Sequence, residues 1–412
     1  NLPNQYNAGP NYYTSYSKQI DEGAHLYDDL VILFAMGNEG KDSDLNGEVD
    51  IAWLQRQAAA KNSFAIGATE NWRPELSSTC GLYQDSDDNI KFPVDPIESD
   101  FESNNIEGVW CNSNRGPTQD GRIKPDLVAP GTRIISVYSA DDDGTHGSPL
   151  SSNDNYMYKS GTSMATPIVA GASAQLIQYL NNIGYSSPSS ALIKGIFSAT
   201  SIDMAGQYPP SSSVPYNAAV QAIPNNHEGW GRVDVSRAVD SSFIDRLDIE
   251  TSETKSMRLN IPIGTPEFRV VLSWTDSPNI AVSSCATQCL VNDLDLTLKD
   301  PAGNIWGEEN GDLNNLLGMT VSNPDAGDWE IIVTGTNVPE GPQNFSIATS
   351  GNYMLTDMSQ PVSGSLQEAG FQEGSIFTET TLSVGSNHVC AILDDSSMSC
   401  WGDNSKGQLG DG

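Results

Sequence analysis

The first 240 residues alternate short apolar runs with helix-compatible stretches. Leu30–Ala35 is a continuous apolar run, and Ser63–Ala68 and Asp126–Ala129 are similar, as expected of strands that are covered on both faces. Helices are predicted at Ile51–Lys61, Met164–Leu180 and Pro188–Thr200. This alternation favours a doubly wound α/β fold, in which an open parallel sheet carries helices on both faces.

Residues 241–350 change to a pattern of period 2. Apolar and polar positions alternate in Ser256–Ile261, Arg269–Trp274, Asp293–Leu298, Trp329–Val333 and Asn344–Ala348, and turn clusters separate them. This pattern predicts an antiparallel β-sandwich after a first domain at 1–240. Residues 351–375 are polar and are predicted to be a linker, and residues 376–412 return to strands and turns.

Two segments of the first domain lack this periodicity. Gly81–Trp110 is acidic and is flanked by Cys80 and Cys111, which predicts a long surface insertion closed by a disulfide. Gln207–Asn226 contains several prolines and a run of serines, and it predicts a surface loop.

The six cysteines fall into three local pairs. The pairs are Cys80/Cys111, Cys285/Cys289 and Cys390/Cys400. None has C-x-x-C spacing, and in a hairpin centred on Asp395 the third pair would lie within disulfide reach. The even number and local pairing predict three disulfides and an oxidising, extracellular or cell-surface location. The alternative is six reduced, buried thiols in a cytosolic protein.

The net charge of the chain limits the classes of partner that it can bind. The chain has 53 Asp and Glu residues against 20 Lys and Arg, a net charge of −33. Such a surface repels phosphate, which argues against nucleic acids and anionic membranes as partners. The chain also lacks a run of eighteen apolar residues, so the sequence predicts no membrane span. The chain begins at Asn1 without a Met and stops at Gly412 within a patterned segment, so we expect an internal piece of a longer protein.

Two segments carry residue types suited to acyl transfer. Ser160–Pro167 (SGTSMATP) opens the predicted long helix, where backbone N–H groups favour an oxyanion beside Ser163, although an N-cap is the ordinary alternative. Phe34–Gly40 (FAMGNEG) ends a buried strand, where Asn38 could donate its amide to the same oxyanion. The alternative for Asn38 is a turn residue.

These segments resemble those of the subtilases, the subtilisin-like serine endopeptidases. GTSMATP is similar to the segment around the family's nucleophile, and AMGNEG to the segment of its oxyanion asparagine. Further family-like stretches are Asn114–Pro117, Lys124–Gly131 and Gly229–Asp234, and the likeness to alkaline subtilases with a C-terminal sandwich extends through Val291–Leu296 and Asn337–Ser346. The resemblance implies catalytic roles for Ser163 and Asn38, a specificity-pocket wall at Ala35, Met36 and Gly37, and protein or peptide substrates.

The chain departs from the family pattern upstream of Asn38. A subtilase places its catalytic Asp and His there, yet only 37 residues precede Asn38 and no D-T-G or H-G-T-H segment occurs among them. His25 and His146 lack the required context. We expect the general base and its orienting carboxylate in a missing N-terminal part, so this piece alone should be inactive. The alternative is a non-catalytic cell-surface binding protein, whereas Ala165 excludes the G-x-S-x-G motif of an esterase.

Hard oxygen donors in the second domain raise the question of a metal. Asp293 and Asp295 share one strand face and would repel each other without a cation, and Asp276 and Asn292 lie nearby in the predicted sandwich. We expect calcium, in line with similar subtilases, although solvated acidic residues are the alternative. No D-x-D-x-D-G loop occurs. Met36 could narrow the specificity pocket or point into the core.

The tail has a different resemblance. Leu382–Gly412 is similar to one blade of a regulator of chromosome condensation type of β-propeller. Blades of about fifty residues repeat around a ring in such folds, so we expect further blades beyond Gly412. A display or adhesion role suits this acidic tail, and its ligand stays open. Together the patterns predict a secreted serine endopeptidase with an N-terminally truncated catalytic domain, a sandwich and a partial propeller repeat.

Overall fold

A computed structural model of the chain describes residues 11–139, 150, 152–204 and 222–358, together with the backbone of three short segments at 383–384, 388–392 and 398–402. The chain forms two compact units, Asn1–Val362 and Ser363–Gly412. Most of the predicted loop Gln207–Asn226, and His146, lie outside the described residues. Among the described helices, none combines the length and the apolar character that crossing a bilayer requires.

A three-stranded parallel sheet organises the first part of the chain. Its strands are β1 (Leu33–Ala35), β2 (Phe64–Thr69) and β3 (Leu127–Pro130), in the order β1-β2-β3. Every residue of β2 is buried, as the uninterrupted apolar run predicts for a central strand. A separate antiparallel pair follows, β4 (Ile134–Val137) with β5 (Tyr156–Lys159).

Four helices accompany these strands: α1 (Ser15–Leu26), α2 (Thr162–Asn182), α3 (Ser190–Thr200) and α4 (Val235–Ala238). Helix α2 packs against all three strands of the parallel sheet. Its buried stripe, at helical spacing, is Ala165, Val169, Ala172, Leu176 and Leu180. Helix α3 is buried along its whole length and is capped by Ser189, whose side chain accepts from the Leu192 N–H.

The helix predicted at Ile51–Lys61 is wrong. The segment is irregular and ends in a turn. Its N–H groups bond to distant carbonyls instead of closing a helical turn: Trp53 donates to the Arg115 carbonyl at 2.9 Å and Gln55 to the Met36 carbonyl at 2.9 Å. These pairings hold the segment beside the end of β1, where a helix would leave those carbonyls unpaired.

Nine strands form two antiparallel sheets in the second part. They are β6 (Phe243–Ile249), β7 (Thr254–Ile261), β8 (Glu267–Trp274), β9 (Asp293–Lys299), β10 (Ile305–Glu309), β11 (Leu316–Ser322), β12 (Gly327–Asn337), β13 (Gln343–Thr349) and β14 (Met354–Asp357). The orders are β10-β9-β12-β7-β14 and β11-β8-β13-β6. One apolar cluster, including Phe268, Leu296 and Ile331, joins the two sheets. Strand β14 lies inside the predicted linker 351–375, so the sheets continue past residue 350.

The two parts of the first unit share buried contacts. Helix α3 packs on β8 and β13. Val271, Leu316 and Ala348 belong to the same apolar cluster as the parallel sheet and α2. The Lys61 ammonium pairs with the Asp276 carboxylate, and both side chains are fully buried. The sandwich therefore completes the core of the α/β part.

The second unit contains a three-stranded antiparallel sheet, β15 (Ser383–Val384), β16 (His388–Ile392) and β17 (Met398–Gly402). Cys390 and Cys400 are directly paired in the register of β16 with β17. The backbone thus forms the hairpin that the sequence predicts, while the side chains of this unit lie outside the description.

Candidate active site

The predicted nucleophile lies where two strand ends meet the start of a helix. Ser163 is exposed in the first turn of α2. Helix α2 begins against the carboxyl end of β3, because the Gly161 N–H donates to the Gly131 carbonyl at 2.8 Å. A side chain at Gly131 would collide with Ala68 and the Gly161 carbonyl, so glycine permits this close approach. The site therefore occupies the carboxyl edge of the parallel sheet.

Asn38 is anchored directly to the start of this helix. Its Oδ1 accepts from the Thr162 backbone N–H and from the Thr162 hydroxyl, both at 2.9 Å. Because a backbone N–H can only donate, the amide oxygen must face Thr162, and the Nδ2 group is the half of the side chain left to donate. The structure thus brings Asn38 and Ser163 to the same helix terminus.

The loop around Asn38 is held by Asn114, from one of the family-like stretches. The Asn114 amide donates to the Met36 carbonyl at 3.1 Å and accepts from the Glu39 N–H at 2.7 Å. Gly37 adopts a φ of +107°, and an added Cβ would lie 2.3 Å from Asn114 Nδ2. Only glycine fits there, so the tight turn that exposes Asn38 depends on Gly37.

The three residues predicted to form the wall of the specificity pocket differ in burial. The Met36 side chain is fully buried and clusters with Leu54, Ala58, Ala59 and Ala65. The structure therefore places Met36 in the core, the second of the two orientations that the sequence leaves open. Ala35 is half-buried in β1, and Gly37 is buried beside Thr162, to whose hydroxyl its N–H donates at 3.1 Å.

Neither histidine with a described side chain suits the role of general base. His25 is exposed near the end of α1. His227 is buried, and burial together with the neighbouring Arg115 lowers its pKa to about 3. A general base works best with a pKa near the operating pH, so His227 stays neutral but is too weakly basic.

Lys91 lies beside the loop that carries Asn38, and the sequence patterns did not point to it. Its ammonium donates to the Asn38 carbonyl at 2.9 Å and to the Asn112 side chain. Burial lowers the pKa of Lys91 to about 8. The sequence did contain one indication of a special role: Lys91 is the one basic residue in the acidic segment between Gly81 and Trp110.

Two of the four predicted metal ligands have other roles. Asp276 is fully buried; its carboxylate pairs with Lys61 and accepts from the N–H groups of Val291 and Asn292 at 2.9 and 2.8 Å. The Asn292 side chain accepts from the Glu340 N–H at 3.0 Å and donates to the Gln343 side chain at 2.8 Å. Both side chains therefore stabilise strand connections.

Asp293 and Asp295 lie on the half-buried face of β9, as their spacing predicts. Burial, followed by the charges of Asp295 and Asp312, raises the pKa of Asp293 to about 6. Asp295 accepts from the Gly311 N–H at 2.9 Å and from the Thr336 hydroxyl. One Asp293 oxygen, Oδ1, is buried without a hydrogen-bond partner.

Within the described residues, a different acidic group converges more closely. Oxygen atoms of Asp42, Asp44 and Asp50 all lie within 4.8 Å of one another. They belong to the segment D-S-D-L-N-G-E-V-D, whose D-x-D-x-N-G start is a variant of a calcium-loop pattern. Three carboxylates with Asn46 between them supply the hard oxygen donors that calcium prefers, so these residues fit such an ion.

Both disulfides whose side chains are described form as predicted. Cys80 is bonded to Cys111 and Cys285 to Cys289. The first closes the acidic insertion. The insertion is more than a surface loop, because Phe92 and Ile97 are buried in the main apolar cluster.

The site thus combines a parallel sheet, an exposed serine at the start of helix α2 and an anchored asparagine just after strand β1, the arrangement that the sequence predicts for a serine peptidase. The subtilase family model matches residues 4–231, and the chain belongs to this family. A regulator of chromosome condensation (RCC1) repeat matches residues 380–408.

Curated relatives of the chain are named as serine proteases. The chain is 28% identical to the serine protease/ABC transporter B family protein tagB of Dictyostelium discoideum, over 82% of this chain and 23% of that protein. It is 42% identical to the serine protease AprX of Bacillus subtilis, over 20% of this chain and 19% of that protein. The chain thus spans about a quarter of the length of the first of these relatives.

Among solved structures, fervidolysin from Fervidobacterium pennivorans, a keratinolytic enzyme related to subtilisin, aligns with a TM-score of 0.34 and 14% identity. The alignment covers 84% of this chain and 57% of that one.

Proposed function

We propose that this chain is part of a secreted serine endopeptidase that hydrolyses peptide bonds in proteins through an acyl-enzyme on Ser163. The observation that carries the proposal is the anchoring of Asn38 to Thr162, the residue next to Ser163. An ordinary N-cap serine needs no amide donor fixed beside it. Membership of the subtilase family supports the same reaction.

The proposed reaction is acyl transfer at Ser163. Ser163 Oγ attacks the substrate carbonyl carbon as its proton passes to a histidine, and the carbonyl oxygen becomes an oxyanion. The Ser163 backbone N–H, unpaired within the first turn of α2, and Asn38 Nδ2 donate to that oxygen. The histidine returns its proton to the leaving nitrogen as the C–N bond breaks, and the amine product departs. Water, losing a proton to the histidine, then attacks the acyl-enzyme; the proton returns to Ser163 Oγ as the ester bond breaks, and the carboxylic acid product leaves.

The histidine and its orienting aspartate belong, in this proposal, to a segment upstream of Asn1. The competing function is a non-catalytic cell-surface binding protein. An upstream reading frame with Asp-Thr/Ser-Gly followed by His-Gly-Thr favours the enzyme, and its absence favours the binding protein.

Labelling by a fluorophosphonate tests the function directly. We expect the full-length protein to be labelled at Ser163 and to lose the label in Ser163→Ala. Ser160→Ala is the matched control, because Ser160 lies in the same segment and its hydroxyl accepts from the Arg133 N–H. Absence of labelling in the unmodified protein would refute the proposed function.

Calcium is proposed as a structural ion of this protein. The Asp42–Asp50 loop is the better candidate site, and the pair Asp293 and Asp295 is the second. An ion in the loop would neutralise three converging carboxylates next to the segment that carries Asn38. The −33 net charge suits the same cation-rich surroundings.

The remaining assignments concern location and organisation. Two described disulfides support an extracellular or cell-surface protein. Residues 376–412 are proposed as a partial propeller repeat, which the match to residues 380–408 supports. Protein or peptide substrates are proposed for the catalytic part, and the ligand of the propeller is left open.

A further inference from the structure

The acidic insertion between Cys80 and Cys111 is built into the neighbourhood of the active site. Its Phe92 side chain is fully buried in the main core, next in sequence to Lys91. The backbone of Lys91 is fixed in both directions: its N–H donates to the Tyr83 carbonyl at 2.9 Å, and its carbonyl accepts from the Asp42 N–H at 2.9 Å. The lysine therefore starts from a rigid position.

Its side chain spans from the insertion to the loop that carries Asn38. The ammonium donates to the Asn38 carbonyl at 2.9 Å and to the side-chain oxygen of Asn112, the residue that follows Cys111. Asn38 is thus held from two sides: Thr162 of the nucleophile helix fixes its side chain, and Lys91 of the insertion fixes its backbone.

We propose that Lys91 is a positioning residue of the oxyanion site, holding the backbone of Asn38 so that its amide meets the developing negative charge. This inference rests on the proposed function. A small rotation of the Asn38 peptide would swing Nδ2 away from the reacting oxygen, and such misplacement is costly to the rate. The positive charge of Lys91 also favours a nearby oxyanion.

The test uses the full-length protein and a peptide anilide substrate. We expect Lys91→Met to lower kcat about tenfold with little change in KM, a smaller loss than the hundredfold or more of removing a direct oxyanion donor. Lys91→Arg should recover most of kcat, because a guanidinium can also donate to the Asn38 carbonyl. Lys41→Met is the control. The Lys41 ammonium lies over the Trp53 ring, 4.9 Å from its centroid, so this variant should leave kcat unchanged.

Fluorophosphonate labelling separates the possible failures. Label on Ser163 in the unmodified protein, together with an unchanged kcat in Lys91→Met, overturns the positioning role and leaves the proposed function standing. No label in the unmodified protein overturns both. If Lys91→Met unfolds, the shorter Lys91→Gln replaces it, and an unchanged kcat in a folded glutamine variant contradicts the proposal.

Discussion

The side-chain oxygen of Asn38 accepts two hydrogen bonds from Thr162, one from its backbone N–H and one from its hydroxyl. Thr162 is buried, and its hydroxyl also accepts from the Gly37 N–H. One hydroxyl therefore connects the end of β1 to the start of α2. The orientation of the Asn38 side chain therefore depends on Thr162, the residue next to Ser163.

Thr162→Val removes that hydroxyl with little change in shape. One hydrogen bond to Asn38 is lost and the Gly37 N–H loses its acceptor, a cost of about 1–2 kcal/mol, so we expect kcat of the full-length protein to fall roughly tenfold. Thr166→Val is the control, since the Thr166 hydroxyl donates to the Thr162 carbonyl and not to Asn38. Equal kcat values in the two variants would contradict the anchoring role.

The buried pair of Lys61 and Asp276 predicts a large effect on stability. Asp276→Ala leaves the Lys61 ammonium buried without its counter-charge, and we expect about 3–5 kcal/mol less free energy of unfolding in a urea titration. Removing both charges in Lys61→Met/Asp276→Leu should cost less than Asp276→Ala alone. Glu330→Ala, which breaks a partly exposed pair with Lys299, should cost less than about 1 kcal/mol. A calcium-dependent loss in Asp276→Ala would restore Asp276 as a ligand.

Glu70 and Asp100 predict lower stability at alkaline pH. Burial, and then the charge of Asp100, raises the pKa of Glu70 to about 9, and burial raises that of Asp100 to about 7. The folded chain therefore holds protons that the unfolded chain releases. This contribution to stability is complete below about pH 4 and is lost as the pH rises through 7 to 9.

The variant Glu70→Gln should flatten this pH dependence. Glutamine keeps a side-chain oxygen for the N–H groups of Asn104 and Asn105, to which Glu70 bonds at 2.9 Å. We expect its melting temperature to exceed that of the unmodified protein by several degrees at pH 9 and to converge at pH 5. The exposed Glu107→Gln serves as the control. Parallel curves for Glu70→Gln and the unmodified protein would argue against a protonated Glu70.

Calcium removal separates the two candidate sites. At free calcium about 100 times the dissociation constant, binding adds about 2.7 kcal/mol, so chelation with EDTA should lower the melting temperature measurably. We expect Asp44→Asn/Asp50→Asn to abolish this EDTA effect and Asp293→Asn/Asp295→Asn to preserve it. The reverse pattern would assign the ion to β9, and an unchanged melting temperature on adding EDTA would remove calcium altogether.

The central strands and the edge strands differ in how well the sequence predicts them. The five strands predicted in the second part correspond to β7, β8, β9, β12 and β13, all flanked by neighbours on both sides. The four that the pattern misses, β6, β10, β11 and β14, are the edges of the two sheets. Three of these edges, such as β10, bury few side chains, so the periodic signal is weak where the strand is least covered.

The residues of the candidate site also differ in how well the sequence predicts them, depending on whether a local motif or a distant contact defines them. Ser163 and Asn38 carry their signal in short motifs, so the sequence is sufficient to nominate them. Lys91 reaches Asn38 across 53 positions and Asp276 reaches Lys61 across 215, and no local pattern encodes such pairings. The Asp42 loop is a different case, since its motif was present in a form that a strict D-x-D-x-D-G pattern passes over.

The common core of the α/β part and the sandwich makes the first unit one cooperative structure. Val271, Leu316 and Ala348 fill space next to the parallel sheet, and Asp276 on the sandwich side neutralises the buried charge of Lys61. A proteolytic cut near residue 240 would therefore release no stable halves, because each would expose apolar surface or an unpaired charge. Heat should unfold both parts in one transition. A substitution that destabilises the sandwich should therefore also lower the fraction of chains in which the Ser163 site is folded.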